Sequence, residues 1–267
     1  MTSTDTGVST RDTDRGRVRW IILDRPASKN GLTVEVNQAL LAALEAAAAS
    51  DEVRAVALFG AGGSFCSGLD LRSAASGGQT SPEVLEANLR QYFHGLIRAV
   101  RACPKPVVAV VDGAAAGFGC DLALACDLRF CSDRARFGEV FVRRGLMPDG
   151  GGTFHLARIV GLGRALELLF TGELIDAAEA HRIGLANRVV PAAEVESAAG
   201  DYLARLAAGP PLVLRAVKQH VYGALSADLD AALENEARQQ VRLLGSQDFF
   251  EGVAAFFQKR TPEFKGR

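Results

Sequence analysis

Three glycine-rich stretches place backbone amides where they could meet an anion, or an oxygen that becomes negative during a reaction. In the first to consider, Pro106 to Val111 is an apolar run that reads as a buried strand. Asp112-Gly113, three alanines and Gly117-Phe118-Gly119 follow, and Cys120 to Cys126 is small and apolar at helical spacing. A strand thus feeds a glycine turn that opens a buried helix. A helix start carries unpaired N–H groups and partial positive charge, and glycine lets another molecule approach the backbone. Such a turn can hold an anion or an oxyanion. The same spacing also suits a tight connection with no ligand, and both readings stand at this point. Gly60 to Leu71 (GAGGSFCSGLDL) is a second such turn directly after a strand. Gly145 to Thr153 (GLMPDGGGT) is a third, ahead of a helix.

The elements that must position these turns alternate. Val18 to Leu23 and Val53 to Phe59 read as strands, and Asp24 to Gly31 as a loop by its turn residues. Thr33 can cap a helix with Val34, Asn37, Leu40, Leu41 and Leu44 near its buried face. Residues 74–82 are rich in Ser and Gly and read as mobile, and a helix spans Pro82 to Arg101. Leu128 to Cys131 and Ala135 to Glu139 read as short strands. Helices follow over Phe154 to Val160, Gly163 to Thr171, and Asp176, as cap, to Ile183. After Pro191 the pattern is helical throughout: Ala193 to Ala208, Pro211 to Leu225, Leu229 to Gly245 and Gln247 to Lys259. This predicts a layered α/β core with a helical C-terminal part, and no fixed-period repeat shows in the residues. We divide the chain into a disordered lead-in (1–16), a core (17–205) and a C-terminal helical region (206–267).

The 267 residues are 48% hydrophobic, enough for a sizeable core, and the formal net charge of -1 argues against nucleic acid as a partner. No apolar run could cross a bilayer, so no membrane partner is expected. The polar N-terminus lacks a signal peptide's apolar core. Cys66, Cys103, Cys120, Cys126 and Cys131 show no zinc-type pair spacing, and no metal site is expected. Reduced thiols in a cytoplasmic protein are the simplest account.

The chain resembles the crotonase superfamily, the enoyl-CoA hydratase/isomerase family, over nearly its whole length. Four segments carry the resemblance: Gly63 to Leu71; Ala114 to Asp127 with Gly117, Gly119 and Cys126-Asp127; Gly145 to Arg158; and Phe256 to Arg260 with Pro262 and Phe264. It implies an α/β fold, a spiral of β-β-α turns with a helical C-terminal region used for oligomerisation, in trimers or dimers of trimers. It implies an acyl-CoA thioester as substrate, with no further cofactor, and backbone N–H groups of Leu69 and Phe118 holding the thioester oxygen. CoA would be gripped by Ala27, Lys29, Ser67, Asp70 and Leu71, and Lys259 and Lys265 could meet a phosphate bound to a neighbouring subunit.

Acid/base side chains choose the reaction. Family hydratases carry two glutamates; here those positions hold Asp121 and Phe141. Glu139 is a possible auxiliary, although a two-residue offset along a strand is roughly 6–7 Å. An aspartate at the place of Asp149 resembles the dienoyl-CoA isomerases, and also the nucleophile of chlorobenzoyl-CoA dehalogenase. The resemblance therefore implies double-bond isomerisation of an enoyl-CoA, with Asp149 as base and Asp121 assisting. Hydration is the alternative, with hydrolysis, dehalogenation or acyl-CoA binding without catalysis behind it. Asp149 could also be a turn aspartate, Asp121 a first-turn helix carboxylate favoured by the dipole, and His155 a packed or surface group.

Overall fold

The computed structural model describes residues 2–3, 6–70 and 81–267. Its main sheet has seven strands in the order β1-β2-β3-β4-β5-β7-β10. They are β1 (Thr2–Ser3), β2 (Val8–Thr13), β3 (Val18–Leu23), β4 (Ala55–Gly60), β5 (Val107–Val111), β7 (Leu128–Ser132) and β10 (Arg188–Val190). The first three pair antiparallel; from β3 onward every pair is parallel, with Val18 beside Ala55, Val56 beside Val107 and Val108 beside Leu128. A smaller sheet joins β6 (Ala114–Ala116), β8 (Arg136–Gly138) and β9 (Ile175–Asp176).

The chain repeats one move. A strand of the large sheet is followed by a short second pairing and then by a helix. β3 leads to Leu32, which bridges Leu69, and then to α1 (Val34–Ala49). β4 leads to Cys66, which bridges Ala115. β5 leads through β6 to α4 (Phe118–Ala125), and β7 through β8 to α5 (Gly152–Val160). Parallel neighbours need such crossovers.

Strand alternation divides the core. Val18, Trp20 and Ile22 of β3 and Val108 and Val110 of β5 face one cluster; Ile21, Leu23, Val107, Ala109 and Val111 face the other. The first cluster is covered by α8 (Val195–Ala207) through Val195, Ala199, Leu203 and Ala207. The second holds Leu44, Phe65, Leu96, Leu122 and Phe137 beneath the remaining helices. Every residue of α4 is buried, as its small apolar sequence requires.

Three expectations differ from the structure. The disordered lead-in of residues 1–16 contains β2, because its residues from Val8 to Thr13 complete six paired positions against β3, and Val8 and Ser9 are buried. The boundary at 205 falls inside α8, a helix that covers the sheet. The helix expected from Pro82 to Arg101 is interrupted: α2 (Pro82–Asn88) passes through a π turn at Leu89–Phe93 into α3 (His94–Ala102). The expected caps form, with Thr33 accepting from the Val36 amide and Asp176 from the Glu179 amide. After α6 (Leu162–Thr171) and α7 (Ala177–Arg182), the C-terminal helices are α9 (Pro211–Ala224), α10 (Leu229–Leu244) and α11 (Gln247–Gln258).

Candidate active site

The first two glycine turns meet backbone to backbone. Cys66 N–H donates to Ala114 C=O, and Ala116 N–H to Cys66 C=O, at 2.9 and 3.0 Å. Gly68 (φ +87) turns the chain just before Leu69. A Cβ on it would lie 2.8 Å from the Ala116 carbonyl oxygen and 3.2 Å from the Phe118 amide nitrogen. Gly117, at φ 55 and ψ -130, turns the chain just before Phe118. Gly68 C=O and Asp70 N–H pair with Leu32, and Gly117 N–H pairs with Gly138 C=O. The amides of Leu69 and Phe118 donate to no acceptor among the described residues. An unpaired donor is costly unless a ligand or water takes it.

Both residues line a cavity of about 550 Å3, within the usual range of small-molecule sites. Its walls are largely apolar: Leu32, Leu85, Leu89, Phe93, Phe118, Val140, Phe141 and Leu146, with Glu35, Asn88 and Arg144 among the polar lining groups. Leu89 and Phe93 arrive from the π turn, and Phe93 meets Phe118 edge-on at 5.1 Å. π turns are frequent at functional sites.

The three candidate acids take unequal places. Asp149 lines the cavity and is half-buried. Asp121 and Glu139 are fully buried and do not line it. Asp121 Oδ2 accepts from the Gly150 N–H at 2.8 Å, so the second turn's helix grips the third turn. A Cβ on Gly152 would overlap Asp121 Oδ1 and lie 2.9 Å from Glu139 Oε1; the glycine run is required there by space. Asp149 Oδ1, Asp121 Oδ1 and both Glu139 oxygens have no hydrogen-bond partner. Burial raises the pKa of each carboxyl. For Asp149 its own backbone amide and His94 oppose the rise. For Asp121 burial prevails over the Gly150 N–H and, with the Asp149 charge, lifts it to about 7. Burial and then the Asp121 charge lift Glu139 well above the carboxylate range. His155 is buried outside the cavity, and burial followed by Arg101 lowers it to about 4, so it is neutral.

Of the residues expected to grip CoA, Ser67 and Asp70 line the cavity, while Ala27 and Lys29 sit on an exposed loop beside it. Leu71 lies outside the described residues. The loop is tied to the turn: Ser67 N–H donates to Lys29 C=O at 3.0 Å and Ser67 Oγ to Ser28 C=O at 3.2 Å. Lys259 and Lys265 are exposed in the C-terminal tail. Two residues not singled out from the sequence organise this corner. Arg25 pairs with Asp70 at 3.2 Å. The buried Asn30 donates to Ala61 and Ser64 C=O and accepts the Arg25 N–H. Turn composition around Pro26 gave a loop but no sign of these long-range partners.

A second, apolar groove of about 610 Å3 lies among the C-terminal helices, lined by Leu212, Leu243, Phe249, Val253, Phe256, Phe257 and Phe264. Its acid, Asp248, is occupied by the Lys265 and Gly266 amides.

A family model described as enoyl-CoA hydratase/isomerase matches residues 13–267. A Rhodobacter capsulatus protein named a probable enoyl-CoA hydratase is 44% identical, over 92% of this chain and 94% of its own. The 1,2-epoxyphenylacetyl-CoA isomerase of Escherichia coli is 35% identical, over 94% and 95%. The crystal structure of an enoyl-CoA hydratase from Bacillus anthracis superposes with a TM-score of 0.93 at 32% identity, covering 98% of this chain and 100% of that one.

Proposed function

Because the chain belongs to the enoyl-CoA hydratase/isomerase family, the crotonase superfamily, and has its α/β fold, we propose that it isomerises the double bond of an enoyl-CoA through a dienolate. It is an enzyme of the hydratase or isomerase type. The observation that carries the finer reading is that Asp149 alone among the three acids shares the cavity with Leu69 and Phe118. In this reading the thioester oxygen accepts the Leu69 and Phe118 N–H groups. The Asp149 carboxylate removes a proton from the carbon next to the thioester carbonyl, and the electron pair spreads onto that oxygen and the alkene. The same carboxyl returns the proton two carbons away. Amides aimed at a developing oxyanion are worth about 2.7–4 kcal/mol each. Burial makes Asp149 a stronger base than an exposed aspartate. The apolar walls suit an acyl chain, and Ser67, Asp70 and the Ala27–Lys29 loop suit the CoA end.

Hydration is the second reading, favoured by the name of the Rhodobacter relative. Syn addition of water is best served by two acids at the cavity, and Phe141 occupies the wall where family hydratases present a glutamate. Incubation with 3-enoyl-CoA and 2-enoyl-CoA decides between them. Isomerisation interconverts the two at constant mass. A gain of one water from the 2-enoyl substrate, with no interconversion, replaces it with hydration.

The trimeric assembly is also part of this proposal. Phe256 and Phe257 are 78% and 77% exposed beside the C-terminal groove, as expected of side chains awaiting another subunit. Sedimentation as a monomer at micromolar concentration would remove it. Five free, buried thiols support a cytoplasmic location.

A further inference from the structure

Glu139 and Asp121 remain without a place in this mechanism, although two carboxyls buried against each other are expensive. Both abut the Cα of Gly152, and three of their four oxygens lack a partner: Asp121 Oδ1, Glu139 Oε1 and Glu139 Oε2. A single proton resolves most of this. Asp121 already accepts the Gly150 amide, so it is the natural carboxylate; Glu139, which accepts no amide and has only the weak Cys120 thiol as a donor, is the natural acid. We propose that Glu139 O–H donates to Asp121 Oδ1, and that this carboxyl–carboxylate unit positions the Asp149 turn without touching substrate.

The geometry gives the unit a purpose. Asp121 lies on α4, one turn after Phe118, which lines the cavity and whose amide is unpaired among the described residues. Its other oxygen holds the Gly150 N–H, the residue next to Asp149. One short, fully buried helix therefore carries an oxyanion donor and the anchor of the base. The proton on Glu139 fixes the Asp121 carboxyl plane and keeps the pair at one negative charge. The titratable groups that act on it are Cys120 on the same helix and Asp149 on the third turn, which His94 on α3 faces in turn; His155 on α5 meets Arg101, Arg129 and Arg158 instead. Burial, with the Asp121 charge, holds the Cys120 thiol protonated, and His155 is neutral. The proposal rests on the Asp149 reading above, and it turns Asp121 from an assisting acid into a positioning residue.

Infrared spectroscopy of the whole enzyme without substrate tests the proton directly. At about pH 8 the wild type should show a protonated-carboxyl band that Glu139→Gln abolishes and Asp149→Asn preserves. Rescue tests the purpose. Glutamine offers an N–H where the acid offered an O–H, so Glu139→Gln should keep kcat within about threefold, whereas Glu139→Ala should lose about tenfold or more at unchanged KM, as expected when a reacting group is misplaced. A band unaffected by Glu139→Gln would overturn the proposal. So would a Glu139→Gln enzyme as slow as Asp149→Asn, which would make Glu139 a proton-transfer group. The band needs no turnover: full activity in Asp149→Asn would remove the base assignment, while loss of the band in Glu139→Gln would still support the shared proton.

Discussion

The two sides of the cavity are built from different material. In the proposed site the amide side, Leu69 and Phe118, is main chain, each residue following a backbone turn at Gly68 or Gly117. The acid side is side chain, with Asp149 in front and Asp121 and Glu139 behind it. A wall of amides is encoded by what is left out, namely Cβ atoms and competing acceptors. A wall of acids is encoded by what is put in. The two sides should therefore fail under opposite kinds of substitution.

The largest effect is expected on the acid side. Asp149→Asn keeps the shape and removes the base, and kcat for isomerisation should fall by about 10²–10⁴. Single-turnover conversion of 3-enoyl-CoA measures it, with thermal unfolding as a check that the variant folds. Near-normal turnover would show that the acid side does not carry the proton. The same assignment fixes the direction of the pH profile. With Asp149 as the proposed base, the active form carries it ionised, and burial raises its pKa, so kcat/KM should fall on the acid side at a higher pH than an ordinary aspartate would give.

On the amide side the sensitive positions are glycines. Gly68→Ala would place a Cβ 2.8 Å from the Ala116 carbonyl oxygen and force an alanine to φ +87. It should cost about 1–3 kcal/mol of stability as backbone strain and, by spreading the two turns, about 10²-fold in kcat. Gly117→Ala carries conformational strain, but its Cβ would meet Val140 and Phe141 only at 3.8 Å. It should lose comparable stability and less activity. Equal losses of kcat in the two variants would break the claim that spacing between the turns matters.

This division also explains what the sequence could reveal. Apolar runs such as Val107–Val111 and the small residues of α4 announce buried elements because burial leaves a composition. The glycine turns announce themselves for the same reason. The structural repeat of strand, short pairing and helix was implied by the family resemblance but left no trace in the residues themselves, because its second members are as brief as Leu32 and Cys66, each a single bridge with no local pattern. β2 was missed because Thr10, Arg11 and Asp12 read as solvated chain, yet an edge near the sheet's end tolerates polar side chains while its backbone pairs with β3. In the site, Asp149 was singled out from its place in the third turn, and it lines the cavity. That Asp121 would be sealed behind it, and that Asn30 would stitch two loops, depends on contacts between distant segments.

A smaller effect concerns the pH dependence of folding. Asp121 has its pKa raised to about 7 in the folded protein, chiefly by burial, against about 3.9 when unfolded. Between these values the folded chain holds a proton that the unfolded chain has lost. This group's contribution to stability should therefore be fullest below about pH 4 and be lost as pH rises to about 7, with a slope of at most about 1.4 kcal/mol per pH unit, while Glu139, raised well above the carboxylate range, carries the decline further. Asp121→Asn should flatten that decline. Chemical denaturation at a series of pH values gives the slope, and an unchanged slope in Asp121→Asn would place the burial cost elsewhere.

The smallest effect sharpens the comparison most. Leu69 lines the cavity, its amide is unpaired among the described residues, and the residue is 45% exposed. Leu69→Ala keeps the N–H, the bridge to Leu32 and the turn at Gly68. It trims only part of an apolar lining. We expect kcat within about threefold of wild type and a modest rise in KM, since lost apolar contact weakens ground and transition states alike. Beside an Asp149→Asn variant slowed by orders of magnitude, that result would mean that the oxygen is held by main chain and the proton by side chain. A large kcat loss in Leu69→Ala would instead make the leucine side chain part of how the substrate is oriented, and the amide side would no longer be indifferent to what its residues are.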